Sequence, residues 1–163
     1  MSLLWDYFWP IAGLGLLIGG VAGSFAFRKN RPRFILIAAA ISLAGAWLWH
    51  GPVGAADRIA ESAERMARSS LDYYEMTAVS AHLYREPLSR NLRLTGPADD
   101  FQRSELVRVM SQIPGVREAN WGDRRGMALL IEGLIAAAGG FLIGLLLAYG
   151  VELRRRYNAQ WKW

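Results

Sequence analysis

The chain has 163 residues, 53% of them hydrophobic, no cysteine and a formal net charge of +5. Without cysteine there is neither a disulfide framework nor thiol chemistry. The apolar residues fall in blocks, which argues against one ordinary soluble domain. The positive excess lies beside those blocks and not on a polar surface, which removes a nucleic-acid partner.

Leu3 to Phe27, Phe34 to Val53 and Met127 to Val151 are each about as long as the roughly 20 residues that cross a ~30 Å hydrocarbon core. Each is expected to be a membrane helix. The first lacks a basic leading segment, carries Asp6 and is followed by basic residues instead of a small-residue cleavage site, so it is expected to stay in the mature protein. Trp5, Tyr7, Phe8 and Trp9 suit a membrane interface, and Pro10 is tolerated near the start of such a helix. Gly15, Gly19 and Gly23 recur every four residues and form a flat stripe where another helix can approach closely.

Arg28-Lys29-Asn30-Arg31-Pro32-Arg33 is short enough only for a tight hairpin, so the second run is expected to pack on the first. Along it Ala38, Ser42, Ala46 and His50 share one face, Trp47 and Trp49 mark the interface, and Gly51-Pro52 breaks the helix. Residues 1–53 are therefore read as a two-helix transmembrane hairpin.

Residues 54–121 are the polar insert. From Gly51 to Gly126 eleven Arg face eleven Asp or Glu, a balance of zero. Ile59, Ala63, Met66, Ala67 and Leu71 give a helical period over about Ala55 to Leu71. Thr77 to Tyr84 and Leu92 to Thr95 alternate as two strands joined through Arg85 to Arg90. Gly96-Pro97 turns the chain. Asp99 with Gln102 is close to a capping box ahead of Phe101, Leu106, Val109, Met110 and Ile113, the apolar face of a second helix. Pro114-Gly115 ends that helix, and Val116 to Trp121 supply a third strand.

This order, αββαβ, with Leu92-Arg93-Leu94-Thr95-Gly96 before the second helix and Ile113-Pro114-Gly115-Val116-Arg117-Glu118-Ala119-Asn120 after it, resembles the BON domain. The resemblance covers most of residues 55 to 121. It implies a small, non-catalytic α/β module of the bacterial envelope, carried by some OmpA-like proteins, that attaches to phospholipid or to other envelope proteins. The third membrane helix straight after the module departs from the usual pattern.

Gly122 to Gly126 form a short charged link, and residues 122–151 hold the third membrane helix, starting near Met127. Glu132 sits about one and a half turns into it and shares a face with Ala136, Gly140, Gly144 and Ala148, a second small-residue stripe. Residues 152–163 form a basic tail with Arg154, Arg155, Arg156 and Lys162, and Trp161 and Trp163 return to the inner interface. Arg28, Lys29, Arg31 and Arg33 make the matching basic loop. Three crossings put both basic segments on one side, which the positive-inside rule makes cytoplasmic, leaving the amino terminus and the insert outside. Both segments can also contact anionic lipid headgroups.

Glu132 carries the sharpest chemistry, because a carboxylate inside hydrocarbon costs roughly 2.5 kcal/mol or more unless paired. A contact to His50 or to a basic residue of a partner subunit is expected, and shallow placement with snorkelling is the alternative. Ala46-Trp47-Leu48-Trp49-His50 resembles the Ala-x-x-x-His pattern with which light-harvesting polypeptides ligate bacteriochlorophyll; the alternative is an interfacial histidine among tryptophans. His82 reads as a strand surface residue. Two histidines and no cysteine disfavour a protein-only metal site, no nucleophile elbow surrounds the serines, and the glycines lie in membrane helices and not in a phosphate loop. Tyr73-Tyr74 and Tyr84 are read as core or interface filling, with anchorage of a protein contact as the alternative.

The expected protein is an α+β membrane protein of three transmembrane helices and a BON-like periplasmic domain in the bacterial inner membrane. It is non-enzymatic, has no cofactor, and acts as an accessory or scaffolding subunit of a larger complex that packs through the small-residue faces. The alternatives are a phospholipid-binding envelope protein and a pigment- or cofactor-bearing subunit using His50.

Overall fold

The computed structural model describes residues 3–29, 31–124 and 126–160. The chain is mixed α+β and mostly helical. Helix α1 spans Leu3–Lys29, α2 Arg33–His50 and α3 Ala55–Tyr73; strands β1 (Ser80–Arg85) and β2 (Leu88–Thr95) precede α4 (Asp100–Met110), β3 (Glu118–Asn120) and α5 (Leu129–Gln160). Three helical stretches, Leu4–Lys29, the one opening at Arg33 and Leu129–Gln160, are long and apolar enough to cross a membrane. Only α2 supplies the apolar part of the second, since α3 is amphipathic.

The contacts divide the chain into two compact units. One holds the residues up to Tyr7 with Val53–Glu132, the other Phe8–Pro52 with the residues from Gly133 onward. Helices α1 and α5 each run from one unit into the other. Trp161, Lys162 and Trp163 of the basic tail, Asn30 of the first turn and Arg125 of the link lie outside the described residues.

In the first unit β1 and β2 pair antiparallel, and β2 and β3 pair parallel, in the order β1-β2-β3. The alternation in the strands decides which face is covered: Ala81, Leu83, Leu92 and Leu94 are buried, whereas His82, Arg93 and Thr95 are exposed. Against that face α3 lays Ala60, Ala63, Ala67 and Leu71, and α4 with its following turn adds Leu106, Met110, Ile113 and Val116. Three fully buried alanines on α3 have no bulk to hold the helix off its neighbours. Asp99 and Gln102 form a reciprocal capping box, with Asp99 Oδ1 accepting from the Gln102 N–H at 2.7 Å and Gln102 Oε1 from the Asp99 N–H at 3.0 Å. Gly96 has φ +130°, and a Cβ there would press on the Ala78 carbonyl oxygen at 2.5 Å, so the turn between β2 and α4 needs glycine.

Several boundaries differ from those expected. β1 begins at Ser80 and not at Thr77, because the chain leaving α3 is first closed by bonds from Met76 N–H to Leu71 O and Val79 N–H to Met76 O. The loop expected over Arg85 to Arg90 shrinks, since Arg85 pairs with Leu88 and Leu88 to Arg90 extend β2. Strand β3 keeps three residues of the expected Val116 to Trp121. Helix α5 continues past Val151 to Gln160, and Glu152 supports the extra turns by pairing with Arg155 and Arg156.

A side chain guards each edge of the sheet. At the β1 edge Glu64 of α3 accepts the Leu83 N–H at 3.0 Å and the Arg85 guanidinium at 2.9 Å. At the β3 edge Ser111 Oγ accepts the Ala119 N–H at 3.0 Å. Edge amides bound in this way are not offered to a foreign strand. Glu64→Ala should lower domain stability by about 1 kcal/mol and speed hydrogen exchange at Leu83 selectively; unchanged exchange at that amide would show that Glu64 does not cap the edge.

Candidate functional site

Three sets of residues are candidates, and the structure treats them differently. The first is the small-residue stripes, which lie in the second unit. A Cβ on Gly15 would overlap the Ala137 carbonyl, one on Gly19 the Phe141 carbonyl, one on Gly140 the Ala12 carbonyl and one on Gly144 the Leu16 carbonyl. A Cβ on Gly23 would come within 2.8 Å of the Ala148 Cβ. The α1 stripe and the α5 stripe are therefore packed backbone to backbone against each other. Ala38, Ser42 and Ala46 of α2 are buried too, and Ala136 is half-buried. Among the described residues Ser42 Oγ has no hydrogen-bond partner.

The stripes thus serve helix packing inside this chain. Gly15, Gly19, Gly23, Ala38, Ser42, Ala46, Gly140, Gly144 and Ala148 are buried within this chain. The outward surface of the helices carries large side chains such as Leu17, Leu36, Ile37, Ile135, Leu146 and Leu147.

The second set centres on Glu132, which lies in the first turn of α5 and not one and a half turns in, because the helix starts at Leu129. Its side chain is 11% exposed and meets two guanidiniums of its own chain, Arg90 at 3.0 Å and Arg117 at 3.4 Å. The basic partners come from β2 and from the approach to β3, so none has to be supplied by another subunit. A carboxylate in a first turn is also favoured by the helix dipole. Arg90, 18% exposed, donates as well to the Gly115 carbonyl at 3.1 Å.

Around this pair the link to α5 is stapled along β2. Arg93 pairs with Asp123 at 2.9 Å, Asn91 Nδ2 donates to the Arg124 carbonyl at 3.2 Å, and Ser89 bridges to Ala128. Gly126 is needed there, since a Cβ would meet Asn91 Oδ1 at 2.5 Å. Ser89 and Asn91 are buried polar residues; the Arg124 carbonyl satisfies the Asn91 amide, and the Ser89 hydroxyl accepts the Asn91 N–H at 3.5 Å.

The third set is a patch on the first unit that the sequence places elsewhere. Phe101, expected on the buried face of its helix, is 75% exposed. At 100° per residue it lies about 140° around α4 from Leu106, off the buried arc. With Tyr74, Met76, Leu106 and Val109 it lines an open groove of about 350 Å³. Tyr73, 81% exposed, stands edge-on to Tyr74 with ring centroids 5.2 Å apart, so this pair faces solvent and does not fill a core. Glu105 and Arg108 on the rim are hydrogen-bonded to each other at 2.6 Å, and this bond holds the Glu105 carboxyl below its usual range. The rim is thus internally neutral around an apolar floor. The adjacent tyrosines were the available signal, and for Phe101 the signal was its offset of about 140° from Leu106 along the helical period.

His50 ends α2, half-buried. Asp6 and Tyr7 line a hollow with Ala55, Arg58 and Ile59 of α3. His82 is exposed and 3.9 Å from Glu64. Among the described residues no three His, Asp or Glu side chains gather as a metal-binding group. No known protein family, curated protein or solved structure matches this chain. The class defined by the fold is a mixed α+β chain, mostly helical, with three helices long and apolar enough to cross a membrane and a small three-stranded sheet.

Proposed function

We propose that this chain is a non-enzymatic accessory subunit of the bacterial inner membrane, which holds a BON-like domain on the periplasmic surface and offers it to a protein partner. The positive-inside rule supports the orientation, since Arg28, Lys29, Arg31 and Arg33 lie at one end of the helix hairpin and Arg154 to Arg156 near the end of α5. The αββαβ order with a mixed three-stranded sheet supports the likeness to BON domains. The observation that carries the partner reading is the exposed Tyr73, Tyr74 and Phe101 beside an apolar groove, since three large aromatics together on a small domain are costly to leave in water and typical of protein contacts. The bound sheet edges turn the partner away from strand addition and toward this groove.

Tagged full-length protein purified at native expression in mild detergent should bring down a stoichiometric partner. The double substitution Phe101→Asp with Tyr74→Ser should reduce that recovery about tenfold or more without altering the domain's circular dichroism. A monodisperse monomer, or equal recovery with the variant, removes the proposal.

A further inference from the structure

The second unit carries a long apolar groove between α1 and α2 that the helix packing leaves open. Leu17, Val21, Phe25, Phe34, Ile37 and Ile41 wall it, the small Ala22 and Ala38 form its floor, and Lys29 stands at one end. Its volume is about 600 Å³. From Leu17 to Lys29 it runs roughly 18 Å along α1, comparable to the half-thickness of a ~30 Å hydrocarbon core. The Lys29 ammonium is 5.9 Å from the centre of the Phe25 ring, and Arg28, Arg31 and Arg33 are exposed in the same short connection.

We infer that this groove is a binding site for one anionic phospholipid, with an acyl chain along the Ala22 and Ala38 floor and the phosphate at Lys29 and the neighbouring arginines. Charge complementarity selects the headgroup: residues 28–33 carry four cations and no acid. The walls select a lipid over a partner helix. A helix approaches closely where small residues face it, and here the small residues lie at the bottom of a trough rimmed by leucine, isoleucine and phenylalanine. A flexible chain can enter that trough; a helix backbone cannot reach its floor. The site goes beyond the partner reading and needs only that the helices lie in a bilayer.

The test is native mass spectrometry of the full chain extracted from vesicles of equal phosphatidylglycerol and phosphatidylcholine. The expected result is one phosphatidylglycerol retained in preference to phosphatidylcholine. The pair Lys29→Gln with Arg33→Gln should weaken that retention about 30-fold, and Ile37→Trp, which fills the groove from an exposed position, should abolish it. The pair Arg154→Gln with Arg155→Gln removes the same charge outside the groove and should change it less than about twofold. Equal retention of the two lipids, or equal losses for both charge pairs, overturns the site in favour of general surface attraction. A photo-crosslinker at Ile37 that captures polypeptide and no lipid overturns it in favour of a partner helix.

Discussion

Gly144→Val should separate α1 from α5 and lower the stability of the full chain in mild detergent by about 3 kcal/mol or more. The reason is which atoms stand in the way. A Cβ at Gly144 meets the Leu16 carbonyl and lies 2.7 Å from the Gly20 nitrogen, all backbone, so no side chain can rotate aside. Gly19 and Gly140 make reciprocal contacts with Phe141 and Ala12, and the seam must therefore open along several turns to admit one branched side chain. Gly13→Ala and Gly139→Ala provide the contrast on the same two helices, since nothing lies within 4 Å of a Cβ at either. Both should stay within about 0.5 kcal/mol of the parent. Thermal unfolding followed by near-ultraviolet circular dichroism reads all three against the parent. If Gly144→Val melts with the two controls, the glycine seam does not hold the bundle.

That seam also marks where sequence reading stops. A four-residue glycine period names a packing face, and Gly15, Gly19 and Gly23 could be read as one from spacing alone. The period does not say what packs there. The partner stripe is more than a hundred residues away on α5, and the choice between it and another subunit is made by tertiary fit. The helical period of Ile59, Ala63, Ala67 and Leu71 and the capping box at Asp99 were legible because both signals are local. The start of β2 was not. Ser89, Arg90 and Asn91 are too polar to read as a half-buried strand, and what lets them lie there is the Arg124 carbonyl, Ala128 and Glu132 more than thirty residues on. Phe101 failed differently: five residues at about 100° each set it about 140° around α4 from Leu106, outside the arc that Leu106 and Met110 bury, so an apolar residue near the helix start was counted on a face it does not share.

Glu132→Ala should destabilise the first unit by about 2 to 3 kcal/mol, near the lower end for breaking a buried ion pair. The loss comes less from the attraction removed than from the charge left behind. Arg117 is 55% exposed and can return to water, but Arg90 is 18% exposed and already committed to the Gly115 carbonyl. Its guanidinium would be stranded between β2 and the approach to β3. The effect should be local: hydrogen exchange at the Arg117 amide, which donates to the Arg90 carbonyl at 2.7 Å, should speed up well before that of the α3 amides. Replacing both partners, Glu132→Leu with Arg90→Met, should recover most of the stability, because two apolar side chains of similar size leave no unpaired charge. Glu132 also ties the sheet to the first turn of a helix long enough to cross a membrane, so the stabilised double variant separates two roles. If the single variant loses recovery of the proposed partner and the double variant regains it, the pair acts by keeping the domain folded. If the double variant is stable and still fails to recover the proposed partner, the ion pair itself contributes to that contact. If exchange at Arg117 is unchanged in Glu132→Ala, neither role stands.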